Sequence, residues 1–199
     1  RCMNSDEAWR LFVAVDIGAD IRRELKRVQE RLARSRVRAR WVKPERIHLT
    51  LAFLGDIEML LVPDIAACLD RCVAGHAPFD IRVQGVGSFG RPRAPRVVWA
   101  GVQDSGEALM RLQGDVAGGL TDLGLDLGNK PFRPHLTMAR VRSLKGVETL
   151  VEDMRRWADH GFGTVHVSHL KLYRSVLKPT GPEYSVQHEA GLRTAPAAG

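Results

Sequence analysis

The chain has 199 residues, 44% of them hydrophobic and 27% charged, with 30 Lys and Arg set against 23 Asp and Glu for a net charge of +7. This balance excludes wholesale disorder and fits one large domain or two small lobes that share a core. No apolar run approaches the ~18 residues that span a bilayer, and the N-terminus lacks the apolar core of a signal peptide, so a cytoplasmic protein that does not associate with membranes is expected.

Trp9 to Asp16 (WRLFVAVD) is a short, β-rich stretch and predicts a buried strand. Asp20 is the expected cap of a following helix, in which Ile21, Leu25, Val28 and Leu32 form one apolar stripe. Arg22, Arg23, Lys26, Arg27 and Arg31 fall largely elsewhere on that helix and read as a solvated face. Ile47 to Leu54 (IHLTLAFL) predicts a strand with Ile47, Leu49, Leu51 and Phe53 on one face and His48, Thr50, Ala52 and Leu54 on the other. Val62 to Ala74 predicts a helix. Its Cys68, Cys72 and His76 recur every fourth residue, but no second cluster offers the other ligands of a closed zinc site, so the thiols read as packing residues. Three cysteines are no disulfide framework.

Phe79 to Phe89 predicts a strand, and Gly90 to Arg96 (GRPRAPR) a basic, turn-rich loop. The order then repeats. Val97 to Val102 reads as a strand, Glu107 to Leu123 as a helix, His135 to Val141 (HLTMARV) as a strand and Val147 to Ala158 as a helix. Val165 to Arg174 and Glu183 to Glu189 read as closing strands. The spacing is too long for a solenoid and indicates duplicated lobes. The expected fold is therefore α+β and bilobed: two antiparallel-rich sheets with outer helices around a central cleft, one His-x-Thr strand per lobe, in a single domain over residues 9–190. Residues 191–199 are the expected flexible tail.

Two of the seven histidines, His48 and His135, are each followed by Leu-Thr. A strand places residues i and i+2 on one face, so His48 points with Thr50, and His135 with Thr137. Two imidazoles with ordinary pKa values near 6.5 can hold opposite protonation states near neutral pH, one taking a proton while the other gives one. Phosphodiester hydrolysis needs that pair of transfers. The two hydroxyls can donate to non-bridging phosphate oxygens. Metal chemistry fits less well, since Thr is a poor ligand and no His-Glu-x-x-His is present. Phosphate-loop and nucleophile-elbow motifs are also missing. A single His-Leu-Thr would read as a packed residue; the matched pair favours catalysis.

At His48-Leu49-Thr50-Leu51 and His135-Leu136-Thr137-Met138 the chain resembles the two-histidine phosphoesterases, and within them the RNA 2′,3′-cyclic phosphodiesterases, historically named 2′-5′ RNA ligases. Leu11 to Asp16, Trp41 to Gly55, Val97 to Gly101, Pro131 to Arg142 and Leu172 to Leu177 carry the same likeness, so it spans nearly the whole chain. The resemblance implies a bilobed fold, no metal or other cofactor, and opening of cyclic phosphate ends of RNA to 2′-phosphates. It implies His48 as proton donor and His135 as acceptor. It also implies that Phe53 and Arg140, five residues after each histidine, line the site, Phe53 by stacking on a base and Arg140 by pairing with phosphate. A regular strand would turn both away, so a bulge or a strand end is required. Arg133, Tyr173 and Arg174 are further cleft candidates, while His166 and His169 have no assigned role.

The basic charge favours a polyanionic partner such as RNA, DNA or anionic lipid, although a solvated arginine-rich surface accounts for it equally well; the resemblance narrows the partner to RNA with a 2′,3′-cyclic phosphate end. Competing readings are ligation through a 2′-5′ linkage, hydrolysis of small cyclic nucleotides, and a non-catalytic RNA-binding module. A monomer is expected, because duplication already supplies the internal symmetry.

Overall fold

The computed structural model describes residues 8–104 and 106–193. Nine strands and four helices form two antiparallel sheets with helices outside them. The strands are β1 (Ala8–Val15), β2 (Ala39–Trp41), β3 (Leu49–Glu58), β4 (Phe79–Arg91), β5 (Ala94–Gln103), β6 (His135–Val141), β7 (Gly161–Val167), β8 (His169–Lys178) and β9 (Gly181–Gly191). The helices are α1 (Gly18–Leu32), α2 (Val62–Val73), α3 (Ala108–Asp122) and α4 (Val147–Arg156). One sheet has the order β3-β1-β8-β9, the other β2-β6-β5-β4-β7. Apart from the short β2, the two orders are equivalent: a His-Leu-Thr strand, the first strand of the same repeat, a strand that crosses over from the other repeat, and an edge.

The helices lie where their apolar stripes require. In α1, Ile21, Leu25, Val28 and Leu32 are buried as the 3.6-residue period predicts. Burying each such side chain stabilises by about 1.5–3 kcal/mol. Helices α1 and α4 pack on the second sheet and α2 and α3 on the first, which leaves the inner faces toward each other. Strands β3 and β6 approach across that gap to within 8 Å between Cα atoms.

Four local expectations change. Asp20 sits inside the first turn of α1, and it is the Asp16 carboxylate that accepts the Gly18 N–H at 3.1 Å. The basic loop expected over residues 90–96 is mostly strand: β4 runs to Arg91, β5 starts at Ala94, and only residues 92–93 turn. The single strand expected over residues 165–174 is two. The chain leaves one sheet after Val167 and enters the other at His169. Gly191 still belongs to β9 and Leu192 is buried, so the start of the expected tail is held to the core; residues 194–199 lie outside the described residues.

Candidate active site

Both His-Leu-Thr strands carry the same irregularity. Along β1–β3, Val13 faces Ala52 and Ala14 faces Thr50, which leaves Leu51 as an extra residue. Along β5–β6, Val98 faces Ala139 and Trp99 faces Thr137, which leaves Met138 extra. Each bulge falls three residues after the histidine and reverses the parity beyond it. Phe53 therefore leaves the face of the buried Leu49 and Leu51 and is 68% exposed, its ring centroid 6.3 Å from that of Phe12. Ala52 and Leu54, expected beside His48, are buried in the core instead. Arg140 is likewise exposed, while Leu136 and Met138 are buried. Of the two alternatives, a bulge or a strand end, both strands have the bulge.

Two glutamines clamp these bulges reciprocally. Gln29 of α1 is buried and donates its amide N–H groups to the carbonyls of Met138 (2.9 Å) and Val42 (2.8 Å). Gln113 of α3 donates to the carbonyl of Leu51 at 3.3 Å. A helix on each side therefore holds the extra residue of a His-Leu-Thr strand.

The two imidazoles are anchored alike. His48 Nδ1 donates to the Arg46 carbonyl at 2.8 Å, and His135 Nδ1 donates to the Arg133 carbonyl at 2.6 Å. A carbonyl only accepts, so Nδ1 carries hydrogen and Nε2 is the atom each ring presents for chemistry. Neither Thr50 nor Thr137 spends its hydroxyl on a protein partner among the described residues.

The surroundings of the two rings differ. His48 stacks on Phe12 with centroids 4.6 Å apart, and Tyr173 covers the same phenyl ring at 5.1 Å. Tyr184 stands edge-on to His48 at 5.4 Å. His135 meets the edge of Phe89 at 4.8 Å, which in turn leans on Trp99. Burial in the aromatic nest pushes the pKa of His48 down from near 6.5 to about 4. The positive Arg22 acts the same way, while the Arg46 carbonyl and Asp16 oppose it. Burial raises the hydroxyls of Tyr173 and Tyr184.

The depressed value predicts acid sensitivity. The unfolded chain binds a proton on this ring below about pH 6.5, whereas the folded chain resists until about pH 4, so stability is full above 6.5 and erodes between those limits. Urea unfolding should show wild type losing about 2 kcal/mol more than His48→Gln between pH 7 and 4.5. Equal losses would mean that the ring titrates normally.

Of the other sequence candidates, Tyr173 joins the site through Phe12. Arg133 contributes its carbonyl, and its side chain is exposed. Arg174 is not brought in: it points to the opposite face of β8 from Tyr173, and its guanidinium lies 4.1 Å over the Trp9 ring. Phe12, Tyr184 and Arg22 were not singled out as site residues by sequence. Arg22 departs from the solvated face expected for it and reaches back to Asp16 at 2.7 Å. Asp16 is pushed up by burial, yet the Gly18 N–H and Arg22 outweigh this and hold it below the usual carboxylate range. His166 bonds Asp80 and His169 bonds Ser168, both at the surface. Cys68 is buried, Cys72 donates to the Asp115 carbonyl, and His76 bonds the Asp115 carboxylate. Among the described residues no three His, Cys, Asp or Glu side chains converge as metal ligands, and no helix is long and apolar enough to cross a membrane.

The family described as LigT-like phosphoesterase matches the chain twice, over residues 15–99 and 101–184. The chain belongs to the LigT-like phosphoesterases. Each of the two matched ranges contains one His-Leu-Thr strand. Among curated LigT-like relatives, RNA 2′,3′-cyclic phosphodiesterase of Thermotoga maritima is 36% identical over 181 residues, covering 90% of this chain and 94% of its own. The protein of the same name from Archaeoglobus fulgidus is 39% identical over 176 residues, covering 88% and 96%. The crystal structure of TT0787 from Thermus thermophilus superposes with a TM-score of 0.78 at 32% identity, covering 93% of this chain and 98% of that one. Escherichia coli LigT complexed with 3′-AMP shares the fold, with a TM-score of 0.76 at 23% identity over 94% of this chain and 100% of that one.

Proposed function

We propose that this LigT-like phosphoesterase opens 2′,3′-cyclic phosphate ends of RNA to 2′-phosphates, with His48 and His135 as the general acid–base pair and no metal. The observation that carries the reading is the matched anchoring: each imidazole gives Nδ1–H to the carbonyl two residues earlier and keeps Nε2 for substrate. The relatives named as RNA 2′,3′-cyclic phosphodiesterases support the substrate class.

In this reaction water attacks phosphorus and loses a proton to one Nε2. The bond from phosphorus to O3′ breaks, and O3′ takes a proton from the other Nε2–H. The products are a 2′-phosphomonoester and a 3′-hydroxyl. Thr50 and Thr137 donate to the non-bridging oxygens, where charge grows in the transition state. The resemblance assigns the donor role to His48 and the acceptor role to His135. Burial keeps His48 neutral in the free protein, so its donor role requires the anionic phosphate to favour the protonated ring on binding.

The test is hydrolysis of a short RNA with a 2′,3′-cyclic end in excess chelator, with the 2′- and 3′-phosphate products resolved. Formation of the 2′-phosphate at an undiminished rate is expected. A 3′-phosphate product, or a rate abolished by chelator and restored by a divalent ion, would overturn the proposal.

A further inference from the structure

Several exposed arginines have a carboxylate partner. Arg10 pairs with Asp56, Arg23 with Asp20, Arg27 with Glu24 and Arg156 with Asp153. Arg40, Arg46 and Arg140 have none among the described residues, although they are gathered in one place. Arg40 on β2 stands directly opposite Arg140 on β6. Like charges opposed on one sheet face repel, so this pairing costs stability unless an anion joins it. Arg46 precedes the catalytic strand and reaches the β8–β9 hairpin, with Nη1 3.5 Å from the Thr180 carbonyl. Arg40 arrives at the same hairpin: a Cβ on Gly181 would lie 3.0 Å from its Nη2 and closer still to Arg46 Nη1. The bare glycine, at φ +110, is what admits both guanidiniums.

The cluster adjoins the site without being the reacting centre. All three positive charges bear on Tyr184, whose ring flanks His48. The bulge at Met138 turns Arg140 to the face of His135 and Thr137, and its cross-strand partner Arg40 shares that face. A cyclic phosphate held between the two Nε2 atoms therefore has, beside it, a patch of guanidiniums with no counter-charge among the described residues. The substrate has one more anionic group at short range, the phosphodiester that links the terminal nucleotide to the rest of the strand.

We infer that Arg40, Arg46 and Arg140 form a subsite for the phosphodiester immediately 5′ of the cyclic end, so that the protein distinguishes an RNA end from a cyclic mononucleotide. The inference rests on the function proposed above. Guanidiniums suit this role because their forked donors engage two phosphate oxygens at once. Their mutual repulsion in the free protein is relieved when the linkage binds.

The test compares kcat/KM for a 2′,3′-cyclic mononucleotide with that for a dinucleotide carrying the same cyclic end. A second dinucleotide has an uncharged methylphosphonate linkage. Arg40→Gln and Arg46→Gln should each lower the rate on the charged dinucleotide by about 10–100-fold more than on the mononucleotide, the range of one charge-assisted contact. The methylphosphonate substrate should lose the same factor with wild type and little more with the variants. Arg40→Lys should recover part of the loss. Equal losses on all three substrates would place the arginines on the reacting phosphate, and no loss on any would leave the cluster idle; either result overturns the subsite. Binding of an uncleavable oligoribonucleotide gives a readout independent of turnover, and each arginine removed should flatten its salt dependence by about 0.7 in log–log slope. An unchanged slope counts against the subsite. Wild type that turns over neither cyclic substrate, yet loses slope in the variants, would sink the proposed reaction and keep the phosphate subsite.

Discussion

Replacing His48 or His135 by alanine is expected to lower kcat/KM on cyclic-ended RNA by about 10²–10⁴-fold in either case. In the proposed reaction each ring moves one proton, and its Nδ1 is already committed to a carbonyl, so no other nitrogen of the ring can substitute. The roles separate with a substrate in which sulfur replaces O3′. A thiolate leaves without needing a proton, so the variant that lacks the donor should recover most of its rate on this substrate, while the variant that lacks the acceptor should not. Recovery by His48→Ala supports the assignment made here. Recovery by His135→Ala alone would exchange the roles, and that outcome would agree with the neutral state that burial enforces on His48. Loss of less than tenfold in both variants would end the two-histidine mechanism.

Gln29→Leu is expected to cost about 2–4 kcal/mol of stability, because it removes both donors to the Val42 and Met138 carbonyls in a buried place. Met138 retains the Val42 N–H at 2.9 Å, whereas no other protein donor to the Val42 carbonyl is found among the described residues. Gln113→Leu should cost about 1 kcal/mol, since its one bond to Leu51 is longer and only part-buried. Urea titrations of the two variants provide the comparison. If Gln29→Glu regains part of the stability at low pH, where the protonated carboxyl supplies one O–H donor in place of two N–H donors, the loss belongs to the hydrogen bonds. Equal costs at the two positions would show that burial and the second hydrogen bond do not set the difference.

Much of this architecture was legible in the sequence because it depends on short-range rules. The apolar stripe of α1, the duplicated order of elements and the shared face of each histidine with its threonine follow from periodicity alone. Strand β6 begins and ends where the pattern places it, at His135 and Val141. The bulges were legible only as one of two alternatives: if Phe53 and Arg140 were to line the site, the strands had to bulge or end. Their position at Leu51 and Met138 depends on pairing with β1 and β5 and on glutamines from distant helices, none of which a local pattern records. Of the aromatic nest only Tyr173 was legible, and through the resemblance. Phe12 comes from a strand far from Tyr173 and Tyr184 in the chain, and within its own segment each of Phe12 and Tyr184 reads as an ordinary strand residue. Arg174 was misplaced because adjacency to Tyr173 in sequence means the opposite face in a strand. Ser168, where the chain changes sheets, lies inside a stretch whose composition reads as one continuous strand.

The exchange of strands between the sheets also governs how the chain can assemble as it is made. Strand β1 is made well before β8, one of its two neighbours, with the whole of β2 to β7 between them. Until β8 arrives, the Leu11–Val15 stretch has an open edge of unpaired amides and carbonyls beside β3, a template for any passing strand. Strand β4 has no such wait, because its partner β5 follows at once through a two-residue turn. The second sheet can therefore begin to form during synthesis, while the first is completed only after β8 and β9 have been made. Between those moments the nascent protein is most exposed to aggregation, and the segment at risk is the one that will later seat His48 on Phe12.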